Sequence, residues 1–406
     1  MIVTATLWSG FFFLVCVLIL LGIVAKRRSI LKILVVAFFL RFALAVYFVL
    51  AAGGNYYDGD GLIFRAEEYS NMDLSVLFHS IPYTAYIYSW TIGLIWNIIG
   101  SADIMIVSLF NALLSFLCCV VAFDLSSKLF SKKTAAIIVT IVAIFPTILL
   151  QSAGFANRES LFILPFVASL YFAYRYYSQG KLSYLVVSVL LAILAAVVHT
   201  VGIVLFALIL VISIKTTKGR YIHLLKIALP VLLVILMYIL FASGIGTEKF
   251  YGEVSIEQVG NIQETRSVGR AAYLSGIQIN SFGDAILYGP IKVIYFIMAP
   301  FVWMIRSLAD IYGLLDGLCY AVLFIVIYKS GVFKSKNKDA SPIGNILLIK
   351  YFSYALIAMM VVLAFGTSNY GTAMRHRAKL FIPLVIVAGV YIERRNNTRL
   401  SKVNNQ

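Results

Sequence analysis

The chain has 406 residues, 62% of them apolar and 12% charged, with a mean hydropathy of +0.96. Soluble domains hold about 45–50% apolar and about 25% charged residues, so soluble, disordered and fibrous classes are excluded. The net charge of +16 does not indicate nucleic acid, because most Lys and Arg gather in short clusters between apolar runs, the positive-inside pattern of cytoplasmic loops.

Taken in chain order, the first apolar run, 5–25, has no basic n-region and no small-residue cleavage site, so it reads as a retained span. Lys26, Arg27, Arg28 and Lys32 then separate it from a second span, 33–53, which contains Arg41. Further spans are predicted at 104–123, 135–151, 160–174, 183–198, 201–214, 227–243, 311–328, 343–365 and 380–392. The basic clusters at 128–133, 175–181, 215–226, 329–338 and 394–402 fall on one side of the membrane only if there are 11 spans. The apolar stretches 83–99 and 287–305 are then re-entrant or interfacial, and the alternative is 13 spans. The expectation is one all-α polytopic domain over residues 1–406, with a cytoplasmic C-terminus and long exterior loops at 53–82 and 244–285. Cys16, Cys118, Cys119 and Cys319 lie in apolar segments and read as small buried residues.

The first exterior loop contains Asp58-Gly59-Asp60-Gly61, followed by Phe64, Arg65, Glu67 and Glu68. One reading is a turn leading into an amphipathic interfacial helix. The other is chemical: a carboxylate at the membrane surface accepts a proton from an attacking hydroxyl, and Asp58 with Asp60 could hold Mg²⁺ or Mn²⁺. Phe145-Pro146 lies within a later span, whose outer end carries Asn157-Arg158-Glu159. Glu159 is either a favourable first-turn acid or part of a site, and Arg158 has the forked donor geometry that suits a phosphate. His199, at the next exterior turn, is structural or functional. Arg41 and Asp316 lie inside spans, where ionisable groups face the protein interior as functional residues or as helix–helix pairs. Near the C-terminus Arg375, His376 and Arg377 fall in an exterior turn, against the positive-inside bias, which points to an anion or to acidic headgroups. Arg266 and Arg270 in the second long loop offer another cationic site.

This order of features, with Pro82 opening the stretch after the acidic loop, resembles the GT-C type of membrane glycosyltransferases, which use polyprenyl-linked donors outside the cytoplasm. The family's first exterior loop commonly carries Asp-Glu with an aromatic residue four positions after the Asp. Asp60 with Phe64 matches that spacing, whereas Gly61 replaces the second acid and leaves Asp58 as its substitute. The resemblance implies Asp60 as catalytic base, with Asp58 and Glu159 as further acids. In this reading Arg158, Arg375, His376 and Arg377 are candidate ligands of a carrier phosphate or pyrophosphate, and Arg266 and Arg270 suit the same role in a repeat-unit polymerase. The implied partners are a polyprenyl-linked saccharide donor, a glycan or lipid-linked acceptor and membrane lipids, in a bacterial inner membrane. The pattern is also similar to the bacterial polymerases of O-antigen repeat units. A flippase or transporter of lipid-linked oligosaccharide is the rival class, disfavoured because no internal repeat is found and polar residues gather at the outer boundary.

Overall fold

The computed structural model describes residues 2–52, 60–82, 86–153, 157–216, 269–277, 279, 281–334 and 345–404. Among the described residues the chain forms helices and no strand, with one isolated antiparallel bridge between Ala272 and Asn369. Five helices are long and apolar enough to cross a membrane by length and composition: α1 (Ile2–Ala25), α2 (Leu31–Ala52), α6 (Ile104–Leu129), α13 (Leu308–Lys329) and α14 (Ile346–Phe365). The protein is an all-α polytopic membrane protein. The chain gathers into two compact units, the first formed by residues 1–125, 135–172 and 186–202 and the second by 126–134, 173–185 and 203–406.

In the first unit, α6 is the central span and α1 the peripheral one. Leu7, Phe11, Leu14, Leu18 and Leu21 recur at helical spacing on α1 and are exposed, which makes a face suited to lipid. Arg27 grips Asp124 with two hydrogen bonds, Nε to Oδ1 at 2.9 Å and Nη2 to Oδ2 at 2.5 Å. That pair ties the α1–α2 turn to the far end of α6, and the Ser9 hydroxyl meets Asp103 at the other end, so α1 and α6 run parallel. Phe38 and Phe42 stack at 4.1 Å, with Phe116 edge-on to Phe38 at 5.4 Å.

The predicted span 135–151 is two helices, α7 (Lys132–Ile144) and α8 (Pro146–Ala153), broken at Phe145. Pro146 has no N–H to donate to the Val142 carbonyl, and its ring disfavours a continuing helix. Arg41, fully buried on α2, supplies the missing donors: Nη2 reaches the Val142 carbonyl at 3.2 Å and Nη1 the Ala143 carbonyl at 3.0 Å. Its other bonds go to Ser115 Oγ at 2.8 Å and the Ala37 carbonyl at 3.1 Å. The intramembrane arginine thus completes a helix that a proline interrupts. Beyond α8 come α9 (Glu159–Gln179) and α10 (Leu182–Val198). Where they pass through this unit, Ser169 and Ser188 hydroxyls each donate to the other's backbone carbonyl at 2.9 Å.

The short helices lie where re-entrant or interfacial elements are predicted. α3 (Asp60–Ser70) and α4 (Leu74–His79) fill the described part of the first long loop, and α5 (Ile87–Ile99) follows. Thirteen residues make about 20 Å of helix, short of the roughly 30 Å hydrocarbon core.

In the second unit, α15 (Tyr370–Asn404) packs on α13 and α14, and α12 (Phe282–Met298) packs on all three. α11 (Val204–Thr216) lies against α14. Gly317 lets α13 approach the end of α12, since a Cβ there would sit 2.5 Å from the Met298 carbonyl oxygen. At one end of this unit Ser131 Oγ donates to Glu393 at 2.8 Å, Asn396 Nδ2 to Thr134 Oγ1 at 3.2 Å, and Arg394 Nη1 to the Ser330 carbonyl at 2.6 Å. The described parts of three predicted basic clusters, at 128–133, 329–334 and 394–402, therefore converge on that end. The predicted span 227–243 and most of the loop 244–285 lie outside the described residues.

Candidate active site

Two helix starts rest on one hydrophobic cluster in the first unit. Ala66, Tyr88, Ile92, Trp96 and Val107 form a buried cluster, and Leu62, Ile63 and Leu161 pack against it. Leu62 and Ile63 belong to the first turn of α3, which opens at Asp60; Leu161 belongs to the first turn of α9, which opens at Glu159. One hydrophobic cluster therefore anchors both the Asp60 turn and the Arg158–Glu159 turn.

The packing beneath α3 is tight. A Cβ on Gly93 of α5 would fall 2.4 Å from Tyr69 Cβ and 2.8 Å from the Ala66 carbonyl oxygen, so only glycine permits this approach. Asn97 Nδ2 caps the far end of α3 by donating to the Ser70 and Met72 carbonyls at 2.8 and 2.7 Å. Phe64, one turn after Asp60, is exposed, and Arg65 lies over the Tyr86 ring at 3.9 Å. Asp58 lies outside the described residues.

At the start of α9, Asn157 Oδ1 accepts from the Glu159 backbone N–H at 3.1 Å. Glu159 is buried in the first turn, where the helix dipole favours negative charge. Arg158 Nη1 donates to the Val198 carbonyl at 3.3 Å, the last residue of α10. His199 follows directly, with its ring 5.7 Å from that of Phe162. His199 Nδ1 accepts from the Val201 backbone N–H at 3.3 Å, which fixes the proton of the neutral ring on Nε2. Three predicted residues that are 40 positions apart in sequence thus come together: Arg158, Glu159 and His199.

The second unit holds the other cations. Arg270 Nη1 meets Asp310 Oδ2 at 3.1 Å, and the same carboxylate accepts from the Tyr370 hydroxyl at 2.6 Å, Ser307 Oγ at 3.0 Å and the Arg306 backbone N–H at 2.8 Å. Burial first, and then the Asp310 carboxylate, push the Tyr370 hydroxyl up to about 12, so it remains a donor throughout neutral pH. Arg375 and His376 are half-buried on the first turns of α15, where His376 Nδ1 donates to Thr367 Oγ1 at 3.1 Å. The donor assignment follows because the Thr367 hydroxyl is already given to the Leu363 carbonyl at 2.7 Å.

Arg377 lies elsewhere than predicted. The stretch read as an exterior turn is the beginning of α15, and Arg377 is 1% exposed inside it. It forms an ion pair with Asp316 at 2.9 Å and donates to the Ile297 and Ala299 carbonyls, which pins α15 to α13 and to the end of α12. Its guanidinium is committed to these partners, which leaves Arg375 and His376 as the more open cations of the trio. Arg266 lies outside the described residues. Asp310 and the buried Lys292, 3.5 Å from Ser368 Oγ, were not singled out in the sequence. Their signal was available, since each is an ionisable residue in or beside an apolar stretch.

Residues 84–243 match the dolichyl-phosphate-mannose-protein mannosyltransferase family, whose members are GT-C glycosyltransferases using lipid-linked sugar donors. Over these residues the chain is similar to a GT-C glycosyltransferase family. The match includes Phe145-Pro146, Arg158-Glu159 and His199; it begins after Asp60 and ends before Arg375. No curated protein matches the chain significantly. The matching family is of the GT-C type that the sequence resembles, and the match supports a glycosyltransferase enzyme.

Proposed function

We propose that this GT-C membrane glycosyltransferase builds a bacterial cell-surface polysaccharide from polyprenyl-phosphate- or pyrophosphate-linked saccharide, at the exterior face of the cell membrane. The observation that carries this reading is the shared anchoring of the α3 and α9 starts, with Leu62, Ile63 and Leu161 packed on one cluster. In this reading Asp60 accepts the proton of the acceptor hydroxyl as it attacks the sugar. Asp58 assists it or shares a divalent cation with it, Mg²⁺ or Mn²⁺, and Glu159 is the further acid. Arg158 offers a charged donor to the leaving phosphate, where negative charge grows in the transition state. His199 borders the same turn. Arg270, Arg375 and His376 of the second unit are separate candidates for a carrier phosphate. The transfer of one sugar and the polymerisation of whole repeat units both fit these residues.

Asp60→Asn keeps shape and hydrogen bonding while removing the proton acceptor. General-base catalysis contributes about 10²–10⁴-fold, so this variant should lose product while remaining folded in the membrane. Glu67→Gln, on the same helix and exposed, serves as the control and should be mild. Normal glycan from Asp60→Asn would remove the base assignment. The lipids accumulating in a deletion strain separate the two modes: single repeat units indicate a polymerase, and a truncated unit a monosaccharide transferase.

A further inference from the structure

The end of the second unit remote from Asp310 contains an apolar cavity of about 180 Å³ between α13, α14 and α15. Phe324, Ile327, Phe333, Leu356 and Val387 form its walls. Ser353 also lines it, but its hydroxyl donates to the Ile349 carbonyl of its own helix at 2.8 Å. An apolar cavity of about 150 Å³ stays dry and takes a benzene-sized guest, so this one favours hydrocarbon over water.

The approach to the cavity is apolar as well. Ile311, Leu315, Leu318, Val322 and Ile325 recur at helical spacing along α13, all exposed, and this lipid-suited stripe ends at Tyr328 beside the cavity. The rim, in contrast, is cationic. Lys334 Nζ lies 5.9 Å from the centre of the Tyr328 ring, and Lys329 is exposed next to Tyr328. Lys350 stands one turn before Ser353 on α14. The nearby carboxylate of Glu393 is buried and taken up by Ser131.

We infer that this is a binding site for an anionic phospholipid, with an acyl chain in the cavity and the headgroup phosphate against Lys329 and Lys334. The charge of the rim selects the headgroup and the dryness of the cavity selects the chain. The site is distinct from the cation group around Asp310, because 17 residues of α13 separate Asp310 from Ile327, about 26 Å of helix.

The test uses the full-length protein in neutral detergent, titrated with phosphatidylglycerol or phosphatidylcholine and followed by native mass spectrometry and thermal unfolding. Phosphatidylglycerol should bind and raise the unfolding temperature, and phosphatidylcholine should do so far less. Each lysine near an anionic headgroup contributes about fivefold, so Lys329→Gln with Lys334→Gln should weaken binding about 25-fold. Ser353→Leu and Val387→Phe narrow the cavity from different helices, and each should reduce binding while the rim stays intact. Equal binding of the two lipids would overturn the proposal, as would wild-type binding by the narrowed variants. Displacement of phosphatidylglycerol by equimolar polyprenyl phosphate would give the cavity to the carrier lipid and also overturn it. The lysine pair lies on the surface, so it decides the matter if either narrowed variant fails to fold.

Discussion

At the scale of single residues, the clearest lesson comes from the intramembrane charges. Arg41 is held by four oxygens, two of them carbonyls at the break before Pro146. Arg41→Met keeps an apolar stem but strips those carbonyls of donors, at about 1–3 kcal/mol for each buried group left unsatisfied. A large drop in unfolding temperature in detergent is expected. Pro146→Ala returns an N–H to the Val142 carbonyl. The double variant should therefore lose less than the sum of the single losses, with a coupling of about 0.5–3 kcal/mol. Additive losses would separate the arginine from the proline. The presence of Arg41 and Pro146 was legible in the sequence, and so was the need for a partner. Which partner was not, because the acceptors are 101 and 102 residues away. Arg377 shows the same limit. A dense run of Arg-His-Arg reads as a solvated turn until Asp316, on another helix, is found opposite it.

At the scale of elements, helix positions followed from apolar run length and the basic punctuation, whereas residues 135–151 read as one span despite the break at Pro146, which proline chemistry accounts for. The contact between α3 and α5 did not follow either, because a glycine inside an apolar run carries no mark of what approaches it. Gly93→Ala would force the two helices apart, and overpacking of this kind costs about 1–3 kcal/mol. Since α3 opens at Asp60, catalytic rate per folded molecule should fall further than stability does. Gly10→Ala on α1, where a Cβ meets nothing within 4 Å, is the comparison and should leave both nearly unchanged. Equal activity in the two variants would disconnect the packing of α3 from the chemistry.

At the scale of the whole molecule, charge distribution is the strongest organiser. Ser131 with Glu393, and Ser330 with Arg394, bring separate basic clusters to one end of the second unit. Cysteines placed at Lys132 and Lys329 should therefore both resist a membrane-impermeant thiol reagent added to intact cells, beyond the labelling of the parent protein. Labelling of one site alone would contradict their common end, and labelling of both would invert the orientation. This organisation was readable because positive-inside bias acts on local sequence. Asp58 and Arg266 were readable too, and lie outside the described residues.

α15 is 35 residues long, about 52 Å of helix, and it is fastened near both extremities. Tyr370 is bonded to Asp310 at one extremity, while Glu393 and Asn396 are bonded to Ser131 and Thr134 towards the other. A slide by one turn, about 5.4 Å, would break both sets together, so piston motion is closed to this helix. Bending is not. Pro383 lies between the two fastenings and leaves the Lys379 carbonyl without its usual helical donor. A bend there would carry Tyr370, Arg375 and Arg377 as one piece, together with the α12 and α13 groups that hold them, while the basic foot stays still.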